Sequence, residues 1–284
     1  MKKTDIDLMC LYWTTSGYAP GDGELSRFDF KDRVEAAANA GFKGVGIWHT
    51  ELEHIMLHRS LKEIKTILDD NGIVYLELEF LTDWFLDGGR KWESDNKKKR
   101  LFEASAALNA KHIKIGDFYN TPYNMDKVVD SFVKLCNDAK DYGAIIGFEF
   151  MASSMIDNLA DALKMVKSAG VENGGIIIDI VQAEVLKIPH EEISAIPAEY
   201  LVCVELNDGA LPGSPLYDPE RVRRFLGEGD FDLNGFINAI LNTGYIGPWA
   251  LEVFSKELAC LPLKEQTKRA FQTTIDFFEN FQRA

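Results

Sequence analysis

Four short apolar runs in the second half of the chain each carry one carboxylate near their end. The runs read AIIGFEFM, GGIIIDIVQ, LVCVELND and WALEVFS, and their acids are Glu149, Asp179, Glu205 and Glu252. A buried carboxylate is destabilising unless a positive charge lies beside it. Four carboxylates that meet at one place can bind a divalent metal ion, and one of them can also transfer protons. We therefore predict a metal site with acid–base chemistry.

The competing interpretation is that each acid forms a salt bridge of its own. For a single acid this is the simpler explanation, but four such bridges need four cations. The one obvious basic group on the loops of these strands is Arg221, Arg223 and Arg224. The pattern therefore favours the metal site.

These acids must be positioned by strands, and β-rich runs alternate with helical patterns along the whole chain. The predicted strands are residues 6–12, 43–48, 73–80, 112–116, 144–150, 175–180, 200–206 and 249–254. The predicted helices are residues 30–40, 61–70, 97–108, 125–142, 159–169, 191–196, 233–241 and 263–281. Eight strand–helix units predict an α/β fold, a (β/α)8 TIM barrel spanning residues 1–284 as a single domain. A doubly wound open sheet is the alternative, but YWTTSGYAPGDGE after the first strand lacks G-x-G-x-x-G spacing.

Composition excludes several classes of partner. The 31 basic and 45 acidic residues give a net charge of −14, which argues against binding to nucleic acid or to an anionic membrane surface. No apolar run approaches the roughly 20 residues of a membrane span, and the first ten residues lack the apolar stretch of a signal peptide. Four widely spaced cysteines are typical of reduced thiols. We expect a cytoplasmic protein, and the sequence leaves a monomer and a homo-oligomer equally open.

The acidic strand ends belong to longer motifs that resemble those of a known family. The segments GFEF, IIIDI, VELNDG, GEGDFD and ALEVF, in this order, resemble the xylose isomerase-like barrels of the sugar phosphate isomerase/epimerase family. The most specific stretch is RRFLGEGDFDLNGFINAILNTGYIGPWALEVF, and the resemblance spans essentially the whole chain. Metal ligands in that family are usually Glu, Asp, His and Glu from strands five to eight. The resemblance implies Glu149, Asp179 and Glu252 as ligands, with Glu205 in the position of the histidine.

The chain departs from the family pattern at two positions. The usual His-x-x-Asp becomes Glu205-Leu-Asn-Asp208, and the usual Asp-x-x-His becomes Asp179-Ile-Val-Gln182. An all-oxygen site favours one Mn²⁺ or Mg²⁺ ion, with Co²⁺ or Zn²⁺ as weaker candidates.

The resemblance implies an isomerase or epimerase of a keto-sugar, keto-polyol or sugar derivative. Glu149 and Glu252 would be the catalytic base and acid and would move an α-proton through an enediolate. One alternative is a dehydratase or lyase acting on an inosose-like or dehydroshikimate-like substrate, since it shares the first step. Another is an inactive barrel that binds a sugar as an accessory protein. The DNA-repair nucleases of the fold are disfavoured because they need clustered histidines and a basic groove.

Strands three and four add ionisable side chains to the predicted barrel interior. IVYLELEF places Glu77 and Glu79 on one face and Phe80 on the other, and KHIKIGDF places His112 and Lys114 inward. An ion pair of Glu77 or Glu79 with Lys114 would fill the interior. Glu79 and Lys114 lie nearer the strand ends, so we predict that they contact substrate.

Further substrate contacts are predicted from side chains that follow the strands. Those side chains are Trp48, His49, Gln182 and Asn207, and the family resemblance implies Arg223, four residues before Gly227, as a further contact. Aromatic residues also cluster after strands, namely Tyr12, Trp13, Trp48, Trp84, Phe85, Phe118 and Tyr119. Aromatic rings at one rim can pack on the apolar face of a sugar ring, which supports a small carbohydrate as the substrate.

Overall fold

Eight parallel strands close into a barrel in the order β1, β10, β7, β6, β5, β4, β3, β2. The structure is a computed structural model that describes residues 6–18, 21–219, 221 and 223–281. The barrel strands are β1 (Leu8–Cys10), β2 (Gly44–Trp48), β3 (Tyr75–Leu81), β4 (His112–Ile115), β5 (Ile146–Glu149), β6 (Gly174–Asp179), β7 (Leu201–Leu206) and β10 (Trp249–Leu251). The predicted TIM barrel is thereby confirmed.

Helices follow the strands and cover the outside of the barrel. They are α1 (Tyr12–Thr15), α2 (Phe30–Ala40), α3 (His49–Met56), α4 (Leu61–Asp70), α5 (Gly89–Leu108), α6 (Met125–Lys140), α7 (Leu159–Ala169), α8 (Ile180–Val185), α9 (His190–Ser194), α10 (Leu233–Asn242), α11 (Lys256–Ala259) and α12 (Leu263–Asn280). The main apolar core lies between these helices and the strand residues that point outward. No helix within the described ranges has the length and apolarity needed to cross a bilayer.

Helix capping explains why several predicted boundaries are correct. The Ser60 side chain accepts a hydrogen bond from Glu63 N, and the Glu63 carboxylate accepts one from Ser60 N, which is a capping box at the start of α4. Asn158 accepts from Asp161 N at the start of α7, and Gly170 ends that helix in the left-handed conformation. The start of α5 was predicted eight residues late because its first two turns lack such signals.

The segment between β7 and α10 folds back over the carboxyl end of the barrel. Asp208 and Gly209 form β8, which pairs antiparallel with β9 (Arg223–Arg224). The Asp208 carboxylate accepts hydrogen bonds from the backbone N–H groups of Gly227, Gly229 and Phe231 at 2.9, 2.9 and 3.2 Å. This network ties the loop down and brings Arg223 to the strand ends.

Candidate active site

A pocket of about 560 Å³ opens at the carboxyl ends of the barrel strands. Seven of the predicted site residues line it, namely Trp48, Glu79, Lys114, Glu149, Gln182, Arg223 and Glu252. Catalytic groups in TIM barrels lie at this end of the strands, so the position agrees with the sequence argument.

Three of the four predicted metal ligands lie together on neighbouring strands. Glu149 ends β5, Asp179 ends β6, and Glu205 in β7 is the register partner of Asp179. One oxygen atom from each carboxylate lies within 4.8 Å of the others, and we call this group the three-carboxylate site. Asn207 Nδ2 and Val181 N donate to Asp179 Oδ1 at 2.7 and 3.0 Å and fix its orientation.

Lys114 provides the positive charge at the centre of the barrel. Its Nζ donates a hydrogen bond to Glu205 Oε1 at 2.8 Å and lies 3.0 Å from Glu79 Oε2 and 3.1 Å from Glu77 Oε1. Glu149 and Glu252 lie farther away, at 3.9 and 3.6 Å. Burial disfavours the charged amine, but the carboxylates outweigh burial and raise the pKa of Lys114 well above its usual value. Lys114 is therefore a permanent ammonium ion.

Glu77 lies below this centre and does not line the pocket. Its Oε2 contacts His112 Nε2 at 2.5 Å, and both side chains are fully buried. Burial disfavours the carboxylate, but Lys114 and His112 outweigh it and lower the pKa of Glu77. Glu77, His112 and Cys203 also place possible ligand atoms within 4.8 Å of one another. Glu77, however, is already paired with the ammonium group of Lys114 and the imidazole ring of His112. The predicted ion pair of Glu77 or Glu79 with Lys114 is confirmed for both acids.

The fourth acid, Glu252, is paired with Arg223. Arg223 Nη1 contacts Glu252 Oε2 at 2.5 Å and donates to the Glu252 carbonyl oxygen at 3.1 Å, while Nη2 lies 2.7 Å from Asp179 Oδ2. The guanidinium group also lies 4.7 Å from the centroid of the Phe254 ring. Arg223 therefore joins two of the predicted ligands and stabilises the negative charge at the mouth of the three-carboxylate site.

The carboxylates outnumber these cations, and the pKa values reflect the imbalance. Burial raises the pKa of Glu149 to about 8, with Glu252 and Asp179 adding to the rise and Lys114 opposing it. Burial likewise raises the pKa of Glu79 to about 8. The pKa of Glu205 is raised well above its usual value, again chiefly by burial. Lys114 and Arg223 thus do not neutralise the cluster.

The three-carboxylate site fits a divalent metal ion. Glu205 Oε2 is buried and has no hydrogen-bond partner among the described residues, so one ligand oxygen is available beside Glu149 and Asp179. Carboxylate oxygens are hard ligands, and the excess of negative charge favours a cation at this place. Glu149, Asp179 and Glu205 would hold the ion. The neighbouring Glu252 side chain is paired with Arg223.

Five aromatic rings form a continuous wall along the pocket, which we call the aromatic wall. Trp13 lies 5.2 Å from Trp48 and 6.3 Å from Phe254 between ring centroids. Trp48 stacks on Phe80 at 5.9 Å, and Phe80 stacks on Phe118 at 4.6 Å. The wall faces a floor of carboxylates, which suits a ligand with apolar C–H faces and polar edges.

Phe80 in this wall corrects one expectation. Its side chain was predicted to face the helices, but it lines the pocket together with Glu79. The pairing of β3 with β4 shifts register between Leu78 and Leu81, so strict alternation fails at this point. Gly116 leaves the space for the ring, because a Cβ atom there would lie 2.5 Å from Phe80 Cζ.

Two predicted substrate contacts lie outside the pocket lining. His49 is half-buried behind Trp48, where its Nε2 is 3.0 Å from Thr50 Oγ1. Asn207 is fully buried and its amide is used to orient Asp179. Neither side chain is therefore placed to contact a molecule in the pocket.

Of the predicted aromatic residues, Trp13, Trp48 and Phe118 line the pocket. The others have different surroundings, illustrated by Trp84, which is buried 6.0 and 6.2 Å from Phe132 and Phe148. Three of the four cysteines, Cys10, Cys136 and Cys203, are buried, whereas Cys260 is exposed.

Glu24 is a pocket residue that the sequence did not reveal. It lies in an irregular glycine-containing loop, reaches the pocket mouth, and accepts a hydrogen bond from Thr50 Oγ1 at 2.6 Å. No strand or helix pattern surrounds it, so local periodicity gave no signal. Met151, Ser153 and Phe254 also line the pocket without having been predicted.

Comparison with known proteins agrees with this geometry. A family model described as a xylose isomerase-like TIM barrel matches residues 34–281. The chain belongs to this family. A similar structure with a TM-score of 0.85 is that of the IolI protein with a bound zinc atom, which is 17% identical, with 98% of this chain and 100% of that chain covered.

Two relatives detected by sequence comparison are enzymes. The chain is 26% identical to a 3-dehydroshikimate dehydratase of Pseudomonas aeruginosa over 243 residues, which is 82% of this chain but only 37% of that protein. It is 22% identical to an inosose isomerase of Halalkalibacterium halodurans over 240 residues, with 80% of this chain and 83% of the relative covered. The xylose isomerase-like barrel is therefore used for more than one reaction among the relatives of this chain.

Proposed function

We propose that this xylose isomerase-like barrel is a divalent-metal-dependent isomerase or epimerase that acts on a keto-sugar, keto-polyol or related derivative. The observation that carries the proposal is the three-carboxylate site, which adjoins through Glu149 a pocket with an aromatic wall. Glu149 belongs to that site and also lines the pocket, and Glu252 lines it beside Arg223. Similarity to an inosose isomerase supports the same reaction class.

The proposed metal ion is Mn²⁺ or Mg²⁺, because the three ligands supply only carboxylate oxygen. When bound, the ion would act as a Lewis acid on the carbonyl and neighbouring hydroxyl oxygens of the substrate and acidify the α-proton.

Glu149 and Glu252 would move the proton. Glu149 ends β5 and lines the pocket, so its carboxylate is placed to exchange a proton with a bound molecule. Arg223 fixes Glu252 through both its side chain and its carbonyl oxygen, which aligns that carboxylate with the pocket. One of the two carboxyl groups takes the proton from the α-carbon to give an enediolate. The other returns a proton to the adjacent carbon atom in an isomerisation, or to the opposite face of the same carbon in an epimerisation.

The test is deuterium exchange at the α-carbon, measured by mass spectrometry with keto-sugars and keto-polyols in D₂O. Protein supplied with Mn²⁺ should incorporate deuterium, and Glu149→Gln should lose at least about a hundredfold of the exchange rate. Glu103→Gln, in the exposed part of α5, is the matched control and should exchange like the parent. Unchanged exchange in Glu149→Gln would refute its assignment as base.

A dehydratase is the second candidate, supported by the similarity to the Pseudomonas aeruginosa dehydratase. It would use the same proton abstraction and then expel a hydroxyl group from the β-carbon. Loss of a water molecule from the substrate, measured by mass spectrometry in H₂O, separates it from an isomerase, whose product then has the mass of the substrate.

A further inference from the structure

Both cations that line the pocket are paired with carboxylates, and this bears on the charge of the substrate. Lys114 Nζ lies within 4 Å of five carboxylates, three of them at 2.8–3.1 Å. The side chain is 1% exposed and donates a hydrogen bond to Glu205, so its charge is already matched by acids of the barrel interior.

Arg223 is committed in the same way. Its Nη1 serves the side chain and the carbonyl oxygen of Glu252, its Nη2 serves Asp179, and the guanidinium group packs on the ring of Phe254. It is 7% exposed, and a phosphate or carboxylate that approached it would also approach the carboxylates of Glu252 and Asp179.

The remaining titratable groups among the described lining residues are all carboxyl groups. Glu24 lies at the mouth, Glu79 and Glu149 at the floor, and Glu252 at the side. A divalent ion held by three carboxylates would leave that centre without net positive charge. An anionic group on a ligand would therefore meet like charges inside a partly closed pocket, where their repulsion is weakly screened.

We propose that the substrate of this site carries no anionic group: it is an uncharged polyhydroxylated ketone whose C–H face packs on the aromatic wall. The inference rests on the proposed function and narrows it. It favours sugars and polyols without a phosphate or carboxylate group over their esters and acids.

The experiment compares matched pairs of probes on protein loaded with Mn²⁺. D-fructose is paired with D-fructose 6-phosphate, and 2-keto-myo-inositol with 3-dehydroshikimate. Binding is measured by calorimetry at low ionic strength and again at 0.3 M salt, roughly where surface charges are screened within about 6 Å. Deuterium incorporation is followed in parallel.

We expect at least one uncharged probe to bind about tenfold or more tightly than its anionic partner at low salt, with a smaller difference at high salt. Equal or tighter binding of the anionic partners, or no binding of either uncharged probe, would overturn the inference. If the preference is found without deuterium exchange, the charge inference stands and the isomerase proposal fails. If an anionic probe exchanges deuterium faster, the proposed proton abstraction stands and the charge inference fails.

Glu24→Gln tests the electrostatic cause without touching the proposed catalytic groups. Glu24 is exposed at the pocket mouth, so the variant should fold, and we expect the preference for uncharged probes to shrink about threefold. Glu53→Gln is the matched control, since Glu53 lies on α3 and pairs with Arg100 outside this pocket. The same preference in the parent and in Glu24→Gln would overturn the electrostatic explanation.

Discussion

Replacement of Lys114 by Met removes the cation on which the interior of the barrel depends. Met keeps the length of the aliphatic stem, so the change is mainly one of charge. Lys114 and its close partners Glu77, Glu79 and Glu205 are each at most 1% exposed. Breaking a buried ion pair by removing one partner costs about 3–5 kcal/mol, and three carboxylates lose their partner here. We expect the free energy of unfolding to fall by at least about 3 kcal/mol at pH 7.5.

The sign of the pH dependence follows from the carboxyl groups that remain. Without the ammonium ion the pKa values of Glu79 and Glu205 in the folded protein rise further above those in the unfolded chain, and Glu77 loses a cation that lowers its pKa. The folded variant then retains protons that the unfolded chain releases, so its stability falls as the pH rises above about 4.5. The deficit of Lys114→Met relative to the parent should therefore be smaller at pH 5 than at pH 7.5.

The assay is urea unfolding in the presence of EDTA at both pH values. Lys114→Met/Glu205→Gln removes one orphaned carboxylate together with the ammonium ion and should regain about 1–2 kcal/mol relative to Lys114→Met. Lys111→Met, at the half-buried position just before the same strand, is the control and should change stability by less than about 0.5 kcal/mol. A loss below about 1 kcal/mol for Lys114→Met at pH 7.5, or a deficit that does not shrink at pH 5, would refute the reasoning.

Three further outcomes are expected from single substitutions. Mn²⁺ at about 1 mM should raise the melting temperature of the parent through mass action but leave Asp179→Asn unchanged, and an equal shift in both would argue against Asp179 as a ligand. Burial lowers the pKa of His49 to about 4, with Lys97 adding to the effect and Glu24 opposing it. Between pH 6.5 and 4 the imidazole therefore takes up a proton in the unfolded chain but stays neutral in the folded protein. The parent should lose about 1–3 kcal/mol of stability over that range beyond the loss in His49→Gln, measured by urea unfolding, and parallel curves would exclude the effect. Phe118→Ala removes a 40% exposed ring from the aromatic wall and should raise the KM for a keto-polyol about fivefold with little change in kcat, whereas an unchanged KM would place the substrate elsewhere.

Much of the candidate site follows from local sequence. In a parallel barrel, alternation within a strand decides which side chains point inward, and the carboxyl ends of all strands meet at one rim. Glu149, Asp179 and Glu252 could therefore be assigned to one place from their positions alone. The placement of Glu79 and Lys114 nearer the pocket than Glu77 was predicted by the same argument.

The partner of each charged side chain, by contrast, could not be predicted from local sequence. Glu205 was predicted to be held by a metal ion, and its closest partner is Lys114, 91 residues earlier in the chain. The interaction depends on how strand β4 lies across the barrel from β7, which no local pattern encodes. Arg221 pairs with Glu228 as a simple loop salt bridge, whereas its neighbour Arg223 reaches Asp179 and Glu252.

Close approach also escaped the sequence argument. Gly46 leaves room for Glu79, because a Cβ atom at that position would lie 2.9 Å from Glu79 Oε1. The register shift beside Leu81 turns Phe80 into the pocket, and Glu24 arrives there on a loop with no periodicity. Such features depend on packing between distant segments.

The sequence by itself determined the barrel and the rim at which the acids gather, since both depend on periodicities repeated along each strand and helix. Only the tertiary structure decided that Lys114 and Arg223 pair with carboxylates and that the aromatic wall faces these carboxylates. These contacts depend on strand stagger and loop closure, where a shift of a few ångströms changes which charges meet and therefore which ligand the pocket accepts.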